Sequence, residues 1–228
     1  MSWNEMLYAY QKEKGGVFMG SRAADWDGEL VLSYRDEPLI IRTVGESNGR
    51  YTTTSIRVRL AIHLERDYEL RIRPKSAMST GLNTVLGVLD RGLEKLPSGP
   101  DLHEDYGCPE VTRGRTITTT DRSFTKLVLR DLELRNALLA SPKDGLLILP
   151  GPGREGLHLV ESYSYPDSMY TDWYSEPDWT DTEEERAEKE EKLAELAQDT
   201  FFPRLEKVIG LTKAARGAAL TWRMGTPG

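Results

Sequence analysis

The chain has 228 residues, 38% of them hydrophobic and 29% charged, with a formal net charge of −7. That length suits one large domain or two small ones and can bury a core without staples. Five Trp and ten Tyr exclude a disordered composition, and the acidic balance argues against a dominant grip on a phosphate backbone.

The single cysteine, Cys108, excludes an internal disulfide and fits a reducing compartment. Met1-Ser2-Trp3-Asn4-Glu5 has neither the basic start nor the apolar core of a secretion signal. No apolar run approaches the roughly 20 residues a membrane helix needs. A cytoplasmic location and no membrane partner are the expectations.

In chain order, Trp3, Met6, Leu7 and Tyr10 recur at helical spacing, and Gly15-Gly16 ends a helix over 2–13. Residues 28–73 read as strands. Leu30, Leu32 and Tyr34 alternate with polar neighbours; Arg35-Asp36-Glu37-Pro38 is a turn, and Leu39 to Thr43 returns. Ile56, Val58, Leu60 and Ile62 alternate with Arg57, Arg59, Ala61 and His63, the cleanest period-two pattern in the chain. Tyr68, Leu70 and Ile72 repeat it after Glu65-Arg66-Asp67. Successive hairpins of this kind predict an antiparallel meander with one wet face.

The period then changes. Leu82, Val85, Leu86, Leu89 and Leu93 lie on one helical stripe stopped by Pro97. Residues 97–114, rich in Gly and Pro, read as a linker between a 1–96 subdomain and a 115–228 subdomain of one unit. Thr116 to Thr120 is β-prone, and Asp121 caps a leucine-rich helical stretch running to Ser141-Pro142. Leu146–Leu149 and Leu157–Val160 predict a hairpin. Thr182 with Glu185 fits a capping box. Glu185/Lys189 and Glu188/Lys192 add i,i+4 pairs. Thr200 is placed to cap a last helix with Pro203 in its first turn and Leu205, Val208, Ile209, Ala215, Ala219 and Trp222 as its stripe.

Two motifs match catalytic patterns in letter only. Gly45-Glu46-Ser47-Asn48-Gly49 fits G-x-S-x-G, but a nucleophile elbow needs a helix after the serine, and Tyr51 to Thr54 is β-prone. Gly151-Pro152-Gly153-Arg154-Glu155-Gly156 fits G-x-G-x-x-G, but a dinucleotide site needs a helix after the glycines, and Leu157-His158-Leu159-Val160 is a strand. Both read as bends between strands. The three histidines, His63, His103 and His158, and Cys108 lack zinc spacing, so no metal and no cofactor are expected. The 37 acids are too scattered to mark a carboxylate pair.

Two surfaces stand out. If 56–63 and 67–73 form one hairpin, Arg57, Arg59, Arg71 and Arg73 share its polar face. They then either pair with the chain's own acids, such as Glu46, Glu65 and Glu69, or capture an anionic ligand. Residues 163–181 form a long acidic, aromatic segment. Its Tyr163, Tyr165, Tyr170, Trp173, Tyr174 and Trp179 either lay the loop on its own domain or anchor a protein partner.

From Arg115 onward a strand, Asp121-Arg122-Ser123-Phe124 with a leucine-rich helix, Arg135-Asn136-Ala137-Leu138-Leu139, a hairpin and a C-terminal helix over 201–222 follow in order. That half of the chain resembles uncharacterised bacterial domain-of-unknown-function proteins. The resemblance implies a bacterial, intracellular context and no particular activity. Those relatives often carry membrane spans, and this chain has none.

These readings predict an α+β fold with antiparallel strands, helices packed on one side and a helical C-terminal segment. The expected function is non-catalytic binding or assembly through protein–protein contacts or self-association, at the 163–181 segment and the arginine face. The alternatives are a hydrolase site built from dispersed carboxylates and His, and anion or nucleic-acid binding through the arginines. Nucleic acid is disfavoured by the net charge.

Overall fold

A computed structural model of the chain describes residues 2–22, 24, 27–47, 52–75, 106–165 and 182–222. The predicted helix over 80–96 lies outside them. Helix α1 (Trp3–Lys14) opens on a capping box, in which the Ser2 hydroxyl accepts from the Glu5 amide at 3.1 Å while the Glu5 carboxylate accepts from the Ser2 amide at 3.0 Å. Gly15, at φ 81°, ends it. Strand β1 (Val17–Met19) follows, then β2 (Glu29–Tyr34) and β3 (Glu37–Ser47), joined by Arg35 and Asp36 at φ 52° and 63°. Two successive positive φ values are the signature of a tight hairpin turn that matches strand twist. Strands β4 (Thr52–His63) and β5 (Leu70–Pro74) come next, then the short helix α2 (Pro109–Thr112) and β6 (Arg115–Thr119).

The leucine-rich stretch divides into two helices, α3 (Arg122–Val128) and α4 (Leu132–Ala140). Asp121 and Asp131 cap them, accepting from the amides of Phe124 at 2.8 Å and Leu134 at 2.9 Å. The predicted hairpin is β7 (Gly145–Pro150) and β8 (Leu157–Ser164), and the chain closes with α5 (Glu183–Leu196), a π turn (Ala197–Phe201) and α6 (Phe202–Thr221). Thr182 and Glu185 make the expected reciprocal cap. Thr200 sits inside the π turn rather than capping α6, while Pro203 occupies the first turn of α6 as read. The bend read over 45–49 is corrected for 45–47, which continue β3 and pair with Thr52–Thr54 of β4, while the glycines of 151–156 form the β7–β8 bend. Among the described residues neither cluster launches a helix.

The eight strands among the described residues join one antiparallel sheet in the order β1-β2-β3-β4-β8-β7-β5-β6. Strands β2, β3 and β4 follow the predicted meander, and β1, which the sequence reading does not include, joins its edge. The expected β4–β5 hairpin is corrected: β8 and β7 stand between those strands. Alternation assigns each residue to a face but not each strand to a neighbour. Here β8 offers β4 eight paired positions, from Ile56↔Ser164 to His63↔Leu157. The five-residue β5 offers a shorter ladder.

One row, Phe18–Leu30–Ile41–Val58–Ser162–Leu146–Ile72–Ile117, crosses every strand on the inner face. On this face α1 and the π turn close one cluster with Leu30, Ile41 and Val58, and α2, α3 and α4 close a second with Leu70, Ile72 and Ile148. Helix α6 runs under both, contributing Leu205, Val208 and Ile209 to the first and Leu211, Ala214, Ala215, Ala218 and Ala219 to the second. Each fully buried large aliphatic adds about 1.5–3 kcal/mol. The alanines of α6 let its C-terminal half approach the sheet closely. Arg216 locks that half, donating to Ala61 O at 3.3 Å and pairing with Glu37.

A buried arginine fixes the second cluster. Arg115 donates to the carbonyls of Leu138 at 2.8 Å, Asp144 at 2.5 Å and Ser141, closing the C-terminus of α4 onto β7. Arg115→Met keeps the stem but leaves those carbonyls unpaired. Urea unfolding should show a loss of about 2–4 kcal/mol; an unchanged midpoint would remove this role.

Candidate functional site

The outer face carries a second row across all eight strands, Val17–Val31–Ile40–Arg59–Glu161–Leu147–Arg71–Thr118. A neighbouring row reads Met19–Glu29–Arg42–Arg57–Tyr163–Gly145. Arg57, Arg59 and Arg71 therefore do share a face, although no hairpin joins their strands. Arg73 lies two residues beyond Arg71 on β5, and β-strand periodicity puts it on that same face.

Between the arginines stands a carboxylate the sequence reading missed. Glu161 is buried; Arg59 Nε donates to its Oε2 at 2.8 Å and Arg59 Nη2 bonds the same oxygen, while Arg57 Nη1 stands 3.7 Å from Oε1. Arg71 lies 3.9 Å from Glu69, and Arg42 pairs with Glu29. The only signal for Glu161 in the sequence is its place in the Leu157-His158-Leu159-Val160-Glu161 alternation. Which arginines it meets depends on the β4–β8 register.

Strand β8 runs to Ser164, so Tyr163 is a strand residue and not part of a loop. Its ring lies across Gly145, where an added Cβ would come within 2.0 Å of Cζ. The phenol is buried, and that burial raises its pKa against the opposing pull of Arg73, Arg57 and Arg115. Tyr165 meets it edge-on at 5.7 Å and is tied to α6, where Arg204 bonds the Tyr165 carbonyl and donates to Ser164 Oγ at 2.7 Å. As a partner anchor Tyr163 is corrected: its area is already spent inside the fold. Tyr170, Trp173, Tyr174 and Trp179 lie outside the described residues.

The same face is more apolar than a solvated sheet face requires. Val31, Ile40, Leu147, Leu149 and Leu159 are half-exposed on it, and Val17 and Met19 at its edge are 61% and 47% exposed. The helices that close the two core clusters do so on the opposite face. A smaller apolar pair, Leu132 and Leu139, projects from one side of α4 at 71% and 49% exposure.

The histidines part company. His63 and His158 line one cleft at the end of β4, β7 and β8 together with Glu65, Asp67 and Glu155; His103 lies outside the described residues. Among the described residues the lining holds no Ser, Thr, Cys, Lys or Tyr; its titratable groups are the carboxylates, the two histidines, Arg66 and Arg154. Cys108 is buried in the second core cluster. Among the described residues no group of three His, Cys, Asp or Glu side chains can hold a metal ion, and no helix is long and apolar enough to cross a membrane.

Gly145 has ordinary backbone angles, so Gly145→Ala is a purely steric probe of the Tyr163 ring. It should cost about 1–3 kcal/mol by overpacking. The added cost should shrink in a Tyr163→Ala background; additive losses would show that the ring does not depend on the glycine. Burial also raises the phenols of Tyr10 and Tyr68. The unfolded chain therefore ionises first, near the ordinary tyrosine value of about 10. Stability should be fully present below that pH and fall as pH rises above it. Phenolate absorbance should then show these three titrating together with unfolding rather than before it.

No protein-family model matches the chain, and neither does any curated protein or any solved structure.

Proposed function

We propose that this chain is a non-catalytic binding or assembly protein whose partner is another protein or a second copy of itself, received on the outer face of the sheet. One observation carries the reading: Val31, Ile40, Leu147, Leu149 and Leu159 stay half-exposed on a face opposite the helices, continuous with exposed Val17 and Met19. Contiguous apolar area of this kind marks protein contact surfaces. The Arg57–Glu161–Arg59 group at its centre suits such an interface, where paired charges set register and specificity more than affinity.

The same pairing weakens the anion reading, because Glu161 occupies the site between Arg57 and Arg59 that a ligand's oxygens would take. The net charge of −7 opposes a nucleic-acid partner. The hydrolase alternative, a site of carboxylates and His, would rest on the cleft that collects His63 and His158 with Glu65, Asp67 and Glu155.

Light scattering on the pure protein tests the proposal, with Ile40→Glu and Leu159→Glu placed on the face. An oligomer, or a stoichiometric complex retained from its native cells, that both variants dissociate is the expected result. A wild type that is monomeric and partnerless, with variants that behave alike, removes the proposal.

A further inference from the structure

Strand β1 stands at one end of the sheet and pairs only with β2, from Val17↔Val31 to Met19↔Glu29. Alternate residues of such a strand turn their N–H and C=O groups away from the neighbour. Among the described residues nothing pairs with that side of β1. Gly16, Val17, Met19 and Gly20 are exposed, and Phe18 is half-buried on the inner face. The other edge strand, β6, is buried at four of its five residues. Proteins commonly guard an open edge with a charge or a proline, and β1 carries neither.

The stretch Gly16-Val17-Phe18-Met19-Gly20 is also matched to itself run backwards. In an antiparallel pair centred on Phe18, Val17 faces Met19 of the second copy, Phe18 faces Phe18 and glycine faces glycine. Aliphatic then meets aliphatic on the outer face and ring meets ring on the inner one. No charge opposes a like charge anywhere in the pair. A contact in which each copy offers the same patch is what a two-fold axis requires. The cations near this edge are already placed: Lys14 lies 3.0 Å from Glu13 and 3.3 Å from Glu206, while Lys12 and Arg22 stand over the Tyr8 ring at 5.1 and 4.5 Å.

We propose that two copies of the chain join β1 to β1, antiparallel about a two-fold axis at Phe18, so that their sheets become one continuous sheet. The inference rests on the self-association reading above and adds to it a contact at the edge of the apolar face. Alternation puts both outer faces on the same side of the joined sheet, where each stays open. The strand is short, so the contact is weak and the dimer forms in proportion to concentration.

Sedimentation velocity over a range of concentrations tests this on the wild type and two double variants. Val17→Lys with Met19→Lys sets like charges opposite each other at both symmetry-related positions. Val17→Glu with Met19→Lys sets opposite charges there. Both side chains are exposed, so circular dichroism of each variant should match the wild type. The wild type should dimerise reversibly. The like-charge variant should raise the dissociation constant roughly tenfold or more, and the opposite-charge variant should stay near the wild-type value. A wild type that stays monomeric at every concentration overturns the inference, and so does a dimer in which the two double variants behave alike. In either event a complex that Ile40→Glu and Leu159→Glu dissociate leaves the face reading standing, so the two fail separately.

Discussion

The eight-position ladder between β4 and β8 places a hairpin from late in the chain between two strands from its first third. Long-range antiparallel pairing of this kind closes a loop of nearly one hundred residues, and its entropic cost is met only when the whole ladder and its packing form together. Once it forms, β5 and β6 are displaced to the far edge of the sheet. The helical segments between and after these strands then have one apolar surface to cover. Helix α6 spans both halves of that surface, so the two core clusters are secured by the same element.

The same ladder sets the chemistry of the opposite face. Its register puts Glu161 beside Arg59 and Tyr163 beside Arg57. Shifting it by one residue would turn those side chains inward and the aliphatic set outward. A buried carboxylate between two guanidiniums is expensive to desolvate and is held by close geometry; such groups favour one arrangement over its alternatives more than they add stability. Tyr163 adds a steric lock, because its ring fits only over a residue without a side chain. The arginine cluster is thereby a self-paired element of the fold, and the half-exposed aliphatics around it are what remains available to a partner.

At the end of the same strands the bend at 151–156 brings glycine-rich backbone against His63 and His158. The literal dinucleotide pattern there is a consequence of turn chemistry. Gly153 and Gly156 take positive φ, and Gly156 also admits the His63 ring. Its carbonyl accepts from both Leu64 N at 2.9 Å and His158 Nδ1. A motif that fails as a phosphate cradle therefore still organises a cleft.

Much of the local structure is legible in the residues themselves. Apolar period gives α1, α6 and strands β2, β3 and β4, and Asp121 and the Thr182–Glu185 pair mark helix starts. Ser2 with Glu5 carries the same capping signal for α1. All of these depend on contacts within a few residues, which composition and spacing specify. The faces of the strands are equally readable, and Arg57, Arg59, Arg71 and Arg73 share one face although no hairpin joins their strands. Strand order was not readable, because a half-buried strand with alternating side chains fits beside any other of like pattern. The Glu161 bridge, the burial of Tyr163 over Gly145 and the meeting of His63 with His158 each join residues about a hundred positions apart, or owe their geometry to such a pairing. Only the tertiary structure, by choosing β8 over β5 as the partner of β4, decided them.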